Sequence, residues 1–399
     1  MVFPMTATSK PTKALILLAF ATFLISINLR FIFSSLSVVL NEIMTQTGLS
    51  THHASLLTTL PVLCLGVFAI PAPALARRIG LERALFVALF LITSGTLLRG
   101  SHWWLLLFFG TITAGAGIAL CNVLLPGFIK RDFGPWAPAM IGLFTMGLCS
   151  GAAAAAAFTQ PLRNSLGGSW QLALMSWAIP GLIAMGAWLP YAIRQHRPTK
   201  MSGTRPQRLW HDALAWQVTL FMGLQSNLAY IVLGWLAPML RQRGLDAETA
   251  GYILGLSIIA QMFATLIIPS WAARLSRQSS LAIGISVISY AAFFACLYLP
   301  LSTLWLWGIL LGLGQGGAIA LALQLIVMRT ADVDTTAELS GMAQGVGYTV
   351  AASGPLIVGL LKDWTGSFYS ATYLIIVIGL IQATCGYKAG RNKLVQART

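Results

Sequence analysis

Arg30 is the residue whose position demands chemistry. It lies inside the apolar run 14–40. As an α-helix at ~1.5 Å per residue, that run is ~40 Å long and crosses a bilayer. Arg30 then sits within the hydrocarbon layer, where an arginine costs at least ~2.5 kcal/mol to insert. It should face a protein interior or a wet cavity. An ion pair or helix contact inside the protein, and snorkelling to the membrane surface, are the alternatives. A guanidinium is a planar fork of donors suited to paired oxygens, as in carboxylates, nitrate or a nitro group.

Nothing in the sequence supplies it with an intramembrane acid. The ten acids (Glu42, Glu82, Asp132, Asp212, Asp246, Glu248, Asp332, Asp334, Glu338 and Asp363) all fall at run ends or in loops, and the five histidines lie in or beside loops. Intramembrane proton relays use Asp, Glu or His. Arg30 is therefore expected to be satisfied by an anion or another strong acceptor. Proton coupling through a mid-membrane carboxylate is not expected; Glu42, Glu338 or the solute itself would have to carry a proton.

Other polar residues recur at helical spacing. Ser226 and Tyr230 are four apart, with Gly234 continuing their face, and Gln225 and Asn227 flank them. Ser340, Gln344 and Tyr348 form a second stripe at intervals of four. The plainer reading is helix-to-helix hydrogen bonding, at ~0.6 kcal/mol apiece. The five cysteines (Cys64, Cys121, Cys149, Cys296, Cys385) sit in apolar runs with no CxxC spacing, and no histidine pair shares a helix face. Neither a disulfide, a metal site nor a cofactor is expected.

The elements that carry these residues are membrane spans. The 399-residue chain is 57% hydrophobic and 9% charged, far below the roughly one quarter charged of a soluble domain. Twelve apolar runs appear: 14–40, 52–75, 83–100, 103–129, 136–160, 170–193, 213–240, 248–272, 279–299, 303–328, 338–361 and 368–388. The net charge of +15 does not indicate nucleic acid, because the cations lie in short loops. Only Arg99, Arg163, Arg241, Arg243 and Lys362 fall in loops on one side; apart from Arg30, the rest lie with the chain ends. The positive-inside rule then puts both termini in the cytoplasm. Lys10 and Lys13 precede a first run too long for a cleaved leader, so it is read as a retained span. The polar segment 194–212 separates an N-terminal six-helix bundle (1–193) from a C-terminal one (213–399).

The halves echo each other. PALARRIGLER (Pro73–Arg83) is answered by PSWAARLSRQ (Pro269–Gln278), and GAGIAL (Gly115–Leu120) by GGAIAL (Gly316–Leu321). Related halves are a mark of transporters. No paired carboxylates or activated nucleophile suggests an enzyme, no soluble output domain suggests a receptor, and the repeat favours rocking over a fixed channel.

Twelve runs, a central basic loop and the basic turn after the second run resemble the major facilitator superfamily. Against its G-x-L-A-D-R-x-G-R-R signature the chain supplies Leu75, Ala76, Arg78 and Gly80 in register, with Pro73 for the first glycine, Arg77 for the aspartate, and Leu81-Glu82 before Arg83. Within that superfamily it resembles the cyanate/2-nitroimidazole transporter branch, through INLRF (Ile27–Phe31), LLTTLPV (Leu56–Val62), GIALCNVLLPGFIKRDF (Gly117–Phe133), LAWQVTLFMG (Leu214–Gly223), GWLAP (Gly234–Pro238) and ELSGMAQGVGY (Glu338–Tyr348).

The resemblance implies an all-α fold of twelve transmembrane helices in two six-helix bundles, in a bacterial inner membrane. It implies a cavity lined by runs 1, 4, 7 and 10 and parts of 2, 5, 8 and 11. The candidate solute-binding residues are then Arg30, Asn122, Gln225, Tyr230, Gln261, Gln324, Gln344 and Tyr348. Arg77, Arg78, Glu82, Arg83, Arg274 and Arg277 are candidate gate residues, with attraction to anionic lipid as the other reading of the basic loops. Gly115, Gly117, Gly142, Gly147, Gly151, Gly341 and Gly345 are expected to let helices approach closely. The function implied is secondary transport of a small anionic or nitro-heteroaromatic solute by alternating access. Export of a neutral drug-like compound and carriage of another small organic acid stay open. The partners are a small molecule and the lipid bilayer, and the chain is expected to act as a monomer.

Overall fold

The computed structural model describes residues 13–69, 71–101, 103–133, 136–193, 209–331 and 333–395. Most of the central basic segment, 194–208, lies outside them, as do the side chains of Arg77 and Glu338.

The first crossing is two helices, α1 (Lys13–Asn28) and α2 (Phe31–Thr47), rather than one. The second is α3 (Thr51–Val67), followed by the short α4 (Ala72–Ile79); α5 (Leu81–Leu98), α6 (Trp104–Phe133) and α7 (Ala137–Ser165) are the next three. The sixth is α8 (Trp170–Ser176) and α9 (Ala178–Ile193). The C-terminal half comprises α10 (Ala213–Gln242), α11 (Ala247–Arg274), α12 (Ser279–Tyr298), α13 (Leu304–Met328), α14 (Val333–Thr365) and α15 (Ala371–Ala389). Eleven crossings are long and apolar enough to span a membrane, and α3 is a shorter apolar helix. The second crossing stops at Val67, not 75. Pro71, the N-cap of α4, has no N–H to donate to the Val67 carbonyl four residues back.

Caps set several starts: Ser50 accepts from the His53 N–H, Asp212 from Ala215 and Asp246 from Thr249. Both halves use the same packing. Helix α5 lies on α6 and α9 as α12 lies on α13 and α15, and α3 meets α6 as α11 meets α13. The echo extends to side chains. The Arg131 guanidinium donates to the Glu82 carboxylate, and the Arg329 guanidinium donates to the Gln278 amide oxygen at the corresponding place. Arg329 also holds the carbonyls of Ala389 and Gly390, tying α13 to the end of α15.

The halves meet through α2 with α10, α3 with α14, and α7 with α11. Large apolar side chains such as Phe20, Phe90, Phe109, Phe158, Phe263 and Leu380 point outward, as lipid requires. Exposed aromatics gather near the helix ends: Trp103, Trp104, Tyr298, Trp305, Trp364 and Tyr369 on the face opposite the chain ends, and Trp210, Trp271 and Tyr387 on the chain-end face.

Candidate functional site

The first crossing breaks at Leu29 and Arg30, midway along the 35-residue span Lys13–Thr47. The Asn28 amide lies at the break, where the Leu29 N–H turns to the Ser26 carbonyl at 3.2 Å. It donates to the Leu24 carbonyl at 2.7 Å and across to the Pro180 carbonyl at 3.3 Å. An Asn side chain competes in this way with the helical backbone. Arg30, at φ −126° and ψ −9°, begins α2 without a side-chain cap. A Cβ at Gly151 would collide with the Ile27 carbonyl, so only glycine lets α7 lie against the broken segment. Arg99, fully buried, donates to the Ile32 carbonyl at 3.2 Å just beyond it.

The break aims Arg30 at the other half of the chain. Its Nη1 donates to the Tyr230 hydroxyl of α10 at 3.0 Å. Its Cζ is 5.5 Å from the Phe33 ring centroid and 5.6 Å from that of Tyr230. Tyr230 meets Phe33 at 5.3 Å and Tyr348 at 6.3 Å between centroids. Tyr348 and Cys149 lie within electrostatic reach of the guanidinium. Among the described residues no carboxylate pairs with Arg30. The arrangement is one cation among three aromatic rings at mid-membrane.

The other candidates separate into two groups. Gln344 and Tyr348 are half-buried, and the Gln344 amide donates to Ser340 at 2.9 Å, so that stripe lies on one face. Asn122, Gln261 and Gln324 are also half-buried. Gln225 is different: it is buried, and its amide donates to the Met222 carbonyl at 3.0 Å and the Ser226 hydroxyl at 2.7 Å, within its own helix. Asn227 likewise joins α10 to α14 through the Val350 carbonyl at 3.1 Å. Gly234 packs on Thr58 of α3, so the room it leaves is taken by a helix.

On the chain-end face Arg78, Arg274 and Arg277 are exposed. Arg83 donates to the Ala192 carbonyl at 3.4 Å, and Glu82 pairs with Arg131 within its own half. On the opposite face Glu42 pairs with Arg241 at 2.9 Å and approaches Arg163 at 3.8 Å.

The two faces differ in closure. Away from the chain ends the halves are in contact: Gly359 against Ser55, and Gly251 against the Ala156 carbonyl. Towards the chain ends, Gly127, Gly142, Gly341 and Gly345 meet open space. Close packing expected at Gly142, Gly341 and Gly345 is therefore absent here, whereas Gly115, Gly117, Gly147 and Gly151 do pack tightly. On that side Gly66 of α3 still approaches Thr349 and the Gly345 carbonyl of α14, so the two halves keep contact along this helix pair.

Sequence reasoning missed Asn28, Phe33, and the pairing of Glu42 with Arg241. Phe33 was readable, three residues from Arg30 and so on the same helix face.

A sequence profile of the Major Facilitator Superfamily matches residues 18–357. The chain is 35% identical to a 2-nitroimidazole transporter of Escherichia coli (strain K12), over 98% of this chain and 99% of that one. It is 28% identical to a cyanate transport protein of the same organism, over 90% and 94%. In fold it is similar to a bacterial homolog of the human lysosomal transporter Spinster, in an inward-facing and occupied conformation. That match has a TM-score of 0.77 at 16% identity and covers 96% and 97% of the two chains.

Proposed function

Because the chain belongs to the major facilitator superfamily, and so is a multi-pass membrane transporter and not an enzyme, we propose that it carries a small planar solute bearing an oxyanion or nitro group, bound at Arg30. The observation that carries this reading is the mid-membrane guanidinium held by a neutral hydroxyl, with no acid paired to it among the described residues. A buried cation is costly unless paired. A solute with two oxygens in one plane meets the guanidinium fork side by side. Phe33, Tyr230 and Tyr348 can stack on a heteroaromatic ring, which suits a nitro-heteroaromatic compound better than bare cyanate. The 2-nitroimidazole named for one relative presents such an oxygen pair, and the cyanate named for the other is a small anion with a single oxygen acceptor.

Around that centre, Asn122, Gln261, Gln324 and Gln344 are read as further polar lining, and Arg77, Arg78, Glu82, Arg83, Arg274 and Arg277 as the chain-end gate. Residues 1–193 and 213–399 are the two rocking bodies, and 194–212 is the basic linker between them. The face bearing the chain ends is read as cytoplasmic, at a bacterial inner membrane, from the excess of cations there.

Counterflow in proteoliposomes tests the reading. Vesicles loaded in turn with cyanate, nitrate, a simple carboxylate or 2-nitroimidazole should take up the labelled form of at least one of them. They should not exchange imidazole. Exchange of imidazole as fast as its nitrated derivative, with none of the anions carried, would favour a neutral drug-like solute instead.

A further inference from the structure

The closed face carries an ion triad whose members divide unequally between the halves. Glu42 lies on α2 and Arg163 on α7, which pack together in the N-terminal half; Arg241 lies on α10 in the other half. One carboxylate oxygen of Glu42 is 2.9 Å from Arg241, and the other is 3.8 Å from Arg163. The Glu42 side chain keeps only 11% of its exposure. Arg163 makes no hydrogen bond to Glu42 at that distance, and its buried Nε has no partner among the described residues. Among the described residues, Glu42–Arg241 is the ion pair that crosses between the halves.

Parting of the halves on this face must lengthen the Glu42–Arg241 contact and leaves the Glu42–Arg163 separation unchanged. Left alone, a carboxylate this buried would be an uncompensated charge, which strongly opposes opening. Arg163 already stands 3.8 Å from Glu42, and its buried Nε has no partner among the described residues. We propose that Glu42 is a switched gate carboxylate: it locks this face by binding Arg241 across the halves, and passes to Arg163 of its own half when the face opens. Arg241 is then the lock, and Arg163 the acceptor that makes unlocking affordable. The device operates whichever solute is carried.

The test uses no ligand. Ser55 is fully buried against Gly359 of the other half, so Ser55→Cys in the full chain reacts with a bulky maleimide only when this face parts. The five native cysteines are buried and give the baseline. Arg241→Gln and Glu42→Gln, two routes to the same lost contact, should each raise the labelling rate about fivefold, the factor for a pair contributing ~1 kcal/mol. Arg241→Lys, which keeps the charge, should stay within about twofold of the parent. Arg163→Gln should slow labelling, because Glu42 then has nowhere to go. Unchanged labelling in both Arg241→Gln and Glu42→Gln would remove the lock. Labelling in Arg163→Gln as fast as in Arg241→Gln would make Arg163 a second lock and overturn the handover.

Discussion

Arg30 and Tyr230 join the two halves of the chain at the middle of the membrane, through one hydrogen bond of 3.0 Å. One partner stands at a break in the first crossing; the other lies on the seventh crossing, α10. The bond uses one of the five guanidinium N–H donors, so a solute can take the remaining donors or take Nη1 from the tyrosine. The bond links the two halves.

Tyr230→Phe removes the competing acceptor and keeps the ring. Where the solute takes Nη1, a hydrogen bond of ~0.5–1.5 kcal/mol net is no longer lost on its arrival. Solute affinity should rise by about twofold to tenfold, measured by titration of the purified protein. Weaker binding would mean that the hydroxyl itself contacts the solute.

Gly345→Val addresses the open face. The glycine meets open space in this conformation, so valine should fold at close to wild-type stability. Closing the chain-end face brings α14 against a neighbour, and the added methyls should obstruct it. Solute binding should persist while counterflow falls at least tenfold. Wild-type counterflow would mean that this part of α14 stays open throughout the cycle.

Glu82→Gln tests the echo between the halves. The C-terminal half places the neutral Gln278 where the N-terminal half places Glu82, and each accepts from an arginine. Arg131 is partly exposed, so the lost charge should cost under ~1 kcal/mol. Glu82→Leu should cost about 1 kcal/mol more, because the Arg131 Nη2 loses its acceptor while the Nε keeps the Asp132 carboxylate at 2.6 Å. Thermal unfolding of the two variants distinguishes them, and equal losses would contradict the equivalence.

The crossings were legible because lipid imposes long apolar runs, and the repeat was legible in Pro73 and Pro269 and in the two glycine-alanine segments. The end of the second crossing was missed: the apolar run continues to 75, whereas α3 ends at Val67 and Pro71 starts a separate helix, α4. The break at Arg30 was harder. It contains neither proline nor glycine, the usual causes of a kink, and Asn28 beside it reaches the Pro180 carbonyl of a helix distant in sequence. Gln225 looked like a site residue because polarity in a span is visible, whereas its satisfaction by Met222 and Ser226 is not. Gly142, Gly341 and Gly345 mark helix faces that can pack, but a sequence serves every state of the cycle and the structure is one of them.

The most direct measurement is thermal unfolding of wild-type protein and Arg30→Gln across cyanate, nitrate, simple carboxylates, 2-nitroimidazole and imidazole. A ligand at 100 times its Kd adds ~2.7 kcal/mol of stability, a readable rise in Tm. The oxygen-bearing ligand that stabilises the wild type should give no rise in Arg30→Gln, with the variant still unfolding cooperatively. An equal rise in both proteins would contradict the account, making Arg30 a structural residue and moving the solute to the Gln344–Tyr348 face.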